Sequence, residues 1–117
     1  MLKTILLDGK PINMRASALT PKLYRYYFGH DIIQDMAALS KAWEKKKEEN
    51  KDFTIDDLTV FERVAWLFAK QAGNDVGEDP DQWLDSLDGV FSVYSVLPQL
   101  LDLWGANLQT TATPKKK

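Results

Sequence analysis

The chain has 117 residues, 44% of them apolar, with 15 Lys and Arg against 17 Asp and Glu and a formal charge of −2. That is the length of one domain, with roughly 65% of its unfolded surface to bury. The near-neutral balance excludes a general attraction to polyanions, so a nucleic-acid role would need a local basic patch. Cysteine is absent, which excludes a disulfide framework, thiolate catalysis and cysteine-based zinc or iron–sulfur sites.

The opening run meets Asp8 too early for the apolar region of a signal peptide, and no apolar run approaches the ~18–20 residues of a membrane span. A soluble intracellular domain is expected. Residues 1–18 read as a β-hairpin. Leu2 to Leu7 is a short apolar-rich run, and Ile12, Met14 and Ala16 alternate with Asn13, Arg15 and Ser17. Asp8-Gly9-Lys10-Pro11 reads as the turn between them, because Gly9 tolerates positive φ and Pro11 cannot donate inside a central ladder. Two strands alone are marginal, so the hairpin must lie on helices or extend a partner's sheet.

Thr20-Pro21 opens a short helix, with Thr20 as the expected cap and Leu23, Tyr24, Tyr27 and Phe28 at helical spacing before Gly29. Asp31 caps the next, whose stripe is Ile32, Met36, Leu39 and Trp43; it dissolves into a charged stretch, Glu44 to Lys51, read as a solvated helix end or a linker. Thr54, followed by Asp56 and Asp57, starts a third helix. Its stripe of Leu58, Phe61, Ala65, Phe68 and Ala72, widened by Val60, Val64 and Leu67, is apolar enough for a central position, and Trp66 lies beyond its edge. Gly73-Asn74 should end it. Asp79-Pro80 restarts a helix through Trp83 and Leu87 that Gly89 should break. The last helix is expected from about Val90 to Asn107, with Val93, Leu97, Leu100, Leu101, Trp104 and Leu108 on one face and Ser92, Ser95, Gln99 and Asp102 opposite. Pro98 should kink it or mark its first turn.

Residues that carry chemistry are scattered. His30, the only histidine, stands at a helix boundary without a neighbouring nucleophile, which favours a capping or solvent-facing role over general-base work. Six acids and no base lie between Asp75 and Asp88, but Pro80 interrupts any calcium loop, and position twelve from Asp75 is Ser86 where the bidentate Glu is required. Helix capping and surface exposure explain most of them, and the stretch could dock a basic partner. There is no Gly-rich phosphate loop and no Gly-x-Ser-x-Gly. The lysine triplets 45–47 and 115–117 read as solvated surface, and Tyr24-Arg25-Tyr26-Tyr27 comes nearest to an aromatic–basic stacking motif. Neither an enzyme nor a cofactor-binding protein is expected. The surplus is aromatic: any two or three of Tyr26, Trp43, Trp66, Trp83 and Trp104 exposed together would mark a protein interface.

The segment Ala18-Leu19-Thr20-Pro21-Lys22-Leu23-Tyr24-Arg25-Tyr26-Tyr27-Phe28-Gly29-His30-Asp31 resembles the front end of tail assembly chaperones of long, flexible-tailed phages and prophages of Gram-positive bacteria. Glu62 to Ala72 is similar to the central helix of that family. Trp83-Leu84-Asp85, Phe91-Ser92-Val93-Tyr94, Leu97-Pro98 and Leu103-Trp104-Gly105-Ala106-Asn107-Leu108-Gln109-Thr110-Thr111 resemble its C-terminal half, and the order covers nearly the whole chain. The resemblance implies a non-enzymatic role. Such chaperones bind the tape-measure protein in the host cytoplasm, assist tail-tube protein in polymerising around it, and are absent from the mature virion. It also implies a longer product made by ribosomal frameshifting near Lys115-Lys116-Lys117. Two other readings stay open: a phage adaptor or connector that remains in the particle, and a small helix-turn-helix DNA-binding regulator, which the charge balance disfavours.

The expected architecture is α+β and mainly α: residues 1–109 form one domain, a hairpin at 1–18 and about five helices over 20–109, followed by a flexible basic tail at 110–117. The expected core is Leu23, Tyr27, Phe28, Ile32, Met36, Leu58, Phe61, Val64, Ala65, Phe68, Leu84, Val93, Leu97, Leu100, Leu101 and Trp104. Candidate partner contacts are Trp66, Tyr94 and Trp104, at the edges of the central and last helices. No catalytic, cofactor or metal residue is assigned, and neither nucleic acid nor membrane is expected as a partner. Self-association is expected to be easy if the hairpin leaves an edge open.

Overall fold

The helix expected to be central becomes the axis of the molecule. The computed structural model describes residues 2–7, 9–87 and 91–112, with side chains as far as residue 105 of the last helix. Its elements are β1 (Leu2–Leu7), β2 (Lys10–Arg15), α1 (Thr20–Phe28), α2 (Ile32–Glu49), α3 (Ile55–Gln71), α4 (Pro80–Ser86) and α5 (Val93–Ala112). The chain is therefore α+β and mainly α, a two-stranded antiparallel hairpin followed by helices in one globule. α3 packs against β2, α1, α2, α4 and α5, while β1 lies against α5. Six consecutive α3 residues, Val64 to Ala69, are buried. A one-sided stripe cannot produce that pattern; neighbours all round the helix do. Its start is sharply defined. Thr54 Oγ1 accepts from Asp57 N at 3.0 Å while Asp57 Oδ2 accepts from Thr54 N at 2.8 Å, a capping box with an aspartate in the third position.

In the hairpin, Leu7 pairs with Lys10 and Leu6 with Pro11, so β2 begins before the proline and the turn is shorter than expected. Gly9 supplies the positive φ of 78°; Asp8 lies outside the described residues. Pro11 is tolerated inside β2 because of register. Its partner Leu6 turns both its N–H and its C=O away from β2, toward Gln99 of α5, so Pro11 stands at a non-hydrogen-bonded pair where no ladder donor is needed. Ile5, Leu7, Met14 and Ala16 are buried, and Leu2 and Leu6 face solvent.

The start of α1 differs from expectation. Leu19 is the N-cap and offers no side-chain bond, and Thr20 is the first helical residue, fully buried. Its hydroxyl accepts from Ser17 N at 2.8 Å and donates to the Gln71 side chain, which in turn donates to Ser17 Oγ at 3.2 Å. Thr20 thus ties α1 to the end of α3. Tyr24 takes the buried position expected for Tyr27, with its hydroxyl on Asp35 Oδ2 at 2.8 Å. Burial and that carboxylate push the Tyr24 phenol well above its usual range. Asp31 caps α2 through Ile33 N, and the charged stretch is helical as far as Glu49, closing at Asn50 with φ 52°.

Of the expected core, Tyr27 and Leu58 are exposed, and Leu23, Phe28, Leu84, Val93 and Leu101 are half-buried. Val76, Trp83, Val96 and Leu103 are buried in addition. The helices' rotation decides this: α1 turns Thr20 and Tyr24 inward, which carries Tyr27 to the rim. Asp79 caps α4, accepting from Gln82 N at 2.9 Å. The expected break at Gly89 lies outside the described residues. Pro98 falls inside α5 rather than in its first turn. α5 continues to Ala112, three residues into the segment read as a tail; Lys115 to Lys117 lie outside the described residues. No described helix is long and apolar enough to cross a membrane.

Candidate partner-binding surface

The three residues singled out by sequence have different fates. Trp66 is 1% exposed; its Nε1 donates to Val76 O at 3.1 Å, and Tyr27 meets its ring edge-on at 5.0 Å. It is a core residue and presents no surface to a partner, because the loop after α3 closes over it. Trp104 is 6% exposed, nearly parallel to Phe68 of α3 at 6.3 Å, and shows one edge to a groove. Tyr94 is 56% exposed.

Tyr94 and Trp104 stand on the same helix, ten residues and about 15 Å apart, and both look toward α2. The Lys46 ammonium lies 5.5 Å from the Tyr94 ring, whereas Met36 and Ala37 line the groove beside Trp104. The two helices therefore run antiparallel, both resting on α3. Between them lies an apolar groove of about 320 Å³, walled by Ile33, Met36, Ala37 and Ser40 on one side and Leu101, Trp104 and Gly105 on the other. Ile33 is 54% exposed. Ala37, Ser40 and Gly105 are small, which lowers the walls enough for another backbone to come close. At the other end of α2, Trp43 stacks on Phe53 with 9° between the ring planes, Phe53 meets Tyr94 at 6.0 Å, and the Lys47 ammonium lies 5.9 Å from the Trp43 ring.

Sequence reasoning missed Ile33 and Phe53. Ile33 stands outside the stripe of Ile32, Met36, Leu39 and Trp43, and Phe53 lies in the connection between two helices; only the fold places them beside α5. The arrangement can bury apolar side chains of a helix laid along α2 and α5.

A second cleft, of about 480 Å³, is lined by Tyr27, Phe28, Thr59, Glu62, Arg63, Asp79, Pro80 and Asp81. Burial, and then the neighbouring Asp81 charge, raise the Glu62 carboxyl above its ordinary range. Arg63 lies over the Phe28 ring at 5.3 Å. His30 is half-exposed, with Nδ1 3.7 Å from Asp35 Oδ2. Among the described residues no three His, Asp or Glu side chains gather to hold a metal ion. The chain matches no family model, no curated protein and no solved structure.

Proposed function

We propose that the chain is a phage tail assembly chaperone that holds a helical segment of the tape-measure protein in the α2–α5 groove until tail-tube protein replaces it. One observation carries the reading: an open apolar groove between two antiparallel helices, with half-exposed Ile33 on one wall and Trp104 on the other, and exposed Tyr94 farther along α5 beside Phe53. A tape-measure chain is long and helical, with apolar stripes exposed before assembly, and such a stripe fits a groove through anchors three and four residues apart. Surface burial of this extent gives moderate affinity and fast release, which handover to the tube requires. The order of motifs from Thr20-Pro21 to Trp104-Gly105 supports the same reading. The chaperone acts in the host cytoplasm and leaves no copy in the finished virion, and a minor product extends past Lys117 by frameshifting.

The test is a pull-down from infected or induced cells with the wild-type chain and with Ile33→Glu, which places a charge in the groove at an exposed position. Recovery of tape-measure protein by the wild type and at least tenfold less by the variant is expected. Repeated recovery of neither tape-measure nor tube protein by the wild type would overturn the reading. Abundant peptides of the chain in purified virions would favour the adaptor instead.

A further inference from the structure

Both outer edges of the hairpin are met by a side-chain amide. Asn74, just past α3, donates to Asn13 O of β2 at 2.7 Å. Gln99 of α5 accepts from Leu6 N at 3.1 Å and donates to Leu6 O at 3.3 Å, and a further bond to Ser95 O at 2.8 Å steadies its amide. In an antiparallel edge strand every second residue turns its N–H and C=O outward. Leu6 does so, and therefore Thr4 and Leu2 do as well. Among the described residues, no side chain bonds the outward groups of those two. The edge is also self-complementary. Laid antiparallel on β1 of a second copy with Thr4 opposite Thr4, it brings Leu2 opposite Leu6 at both ends, and the outward groups of all three residues face one another. The side chains agree with that register. Leu2 and Leu6 lie on the solvent face, 63% and 57% exposed, and would meet as two apolar cross-strand pairs.

We infer that Gln99 guards this edge: α5 offers its amide to β1 as a strand would, and so keeps β1 from pairing with β1 of a second copy. An edge strand with exposed apolar residues is a template for association. Leu6 stands in both outer pairs of the two-fold register, so one glutamine per copy blocks every pair except Thr4 with Thr4. One helical turn further along α5, Asp102 pairs with Lys3 at 3.6 Å. Lys3 lies on the same face as Ile5 and would stand opposite the second copy's Ile5 in that register, so the charge that Asp102 holds there opposes the same contact. Within the chain β2 is a poorer partner for β1, because Pro11 has no N–H to turn outward and Asn13 O is already engaged by Asn74. The inference concerns the hairpin and α5 alone and does not rest on client binding.

The experiment compares the purified full chain with Gln99→Ala by sedimentation equilibrium from about 1 µM to about 1 mM. Gln99→Ala is expected to self-associate at least about tenfold more strongly than the wild type. Hydrogen exchange locates the contact. In Gln99→Ala the Thr4 and Leu6 amides should exchange fast at the low concentration and become protected at the high one, whereas in the wild type neither should depend on concentration. Thr4→Pro removes a donor that faces outward and leaves the ladder to β2 intact, so adding it to Gln99→Ala should return association to the wild-type level. Circular dichroism checks that each variant is folded; Gln99→Leu stands in for Gln99→Ala if that variant fails the check, and the exchange data carry the test if the proline variant does. Association of Gln99→Ala no stronger than that of the wild type overturns the inference. So does a dimer that leaves the Thr4 and Leu6 amides unprotected or survives Thr4→Pro, because the contact then lies elsewhere.

Discussion

Two groups of aromatic rings show how little ring chemistry alone decides. Around Trp66, Tyr27 and Phe28 meet the indole edge-on at 5.0 and 5.7 Å, and the Lys70 ammonium lies 5.5 Å from it. Around Phe53, Trp43 and Tyr94 sit 6.3 and 6.0 Å away, and the Lys46 ammonium lies 5.5 Å from Tyr94. Rings, spacing and cations are alike, yet Trp66 is fully buried and Tyr94 is open. The difference is the segment between α3 and α4. It brings the Val76 carbonyl to the indole N–H and buries the Val76 side chain, whereas nothing described covers Tyr94. An aromatic residue becomes core when its polar edge is satisfied and its face is roofed; otherwise it remains surface for a partner.

The widest gap between the two groups should appear on truncation. Trp66→Ala is expected to destabilise the fold by about 3–5 kcal/mol through loss of packing, with the Val76 carbonyl left unpaired. Urea unfolding monitored by circular dichroism measures it. Trp66→Phe keeps a ring and loses the N–H, so a smaller loss of about 1–3 kcal/mol separates the hydrogen bond from the packing. If Trp66→Ala cost no more than Tyr94→Ala, the distinction drawn here would fail.

The roof itself is the next target. Gly77 stands at φ 69°, and a Cβ there would lie 2.6 Å from Gln82 Oε1, the atom that accepts from Glu78 N at 3.0 Å. Gly77→Ala combines a disfavoured backbone with a clash and is expected to cost about 1–3 kcal/mol. Loosening of the roof should show as faster exchange of the Trp66 indole proton by NMR.

Much of this architecture is legible in local sequence. Thr54 with Asp57, Asp31, and Asp79 before Pro80 start helices at the expected places, because a cap is satisfied within three residues of itself. What escaped depends on distant partners. Thr20 has the composition of a cap, yet it is drawn inward by Gln71, 51 residues away. Tyr24 and Tyr27 differ by less than one turn, and Asp35 on α2 decides which goes inside. Pro11 looked barred from a strand until the register showed that its missing N–H faces outward. Tyr94 and Trp104 were legible as residues of the last helix, but the groove that Trp104 shares with Ile33 requires α2 to run antiparallel beside α5, and no periodicity encodes that.

Gln99 extends the same lesson to the hairpin. It looked like part of a solvent-facing polar strip, but its amide accepts from Leu6 N at 3.1 Å and donates to Leu6 O at 3.3 Å, occupying the outer edge of β1 as a neighbouring strand would. Gln99→Leu should cost about 1 kcal/mol and speed hydrogen exchange at the Leu6 amide. Gln99→Glu, which can still accept but no longer donate, should protect that amide better than Leu does. Tyr94→Ala stands lower on the stability scale, within about 0.5 kcal/mol of wild type as an exposed substitution. Its effect should appear as weaker capture of tape-measure protein, the reverse of Trp66.

The smallest expected effect concerns Glu62, one helical turn before Trp66 on the rim of the buried group. Its carboxyl is raised chiefly by burial and secondarily by Asp81. A carboxyl raised in the folded state holds its proton there more tightly than in the unfolded chain. In the carboxylate range the folded protein thus binds more protons, and stability falls as pH rises through that range toward neutrality. This is opposite in sign to a salt-bridged acid, whose contribution is lost as pH falls. Glu62→Gln removes the titration, so its stability relative to wild type should increase from acid to neutral pH, read as the difference between urea midpoints in paired titrations. Asp81→Asn removes only the lesser cause and should reproduce a fraction of the change. Because Glu62 is only part-buried, screening keeps the whole effect small. A relative stability that decreased instead as pH rose would mean that Glu62 has a cationic partner in the monomer.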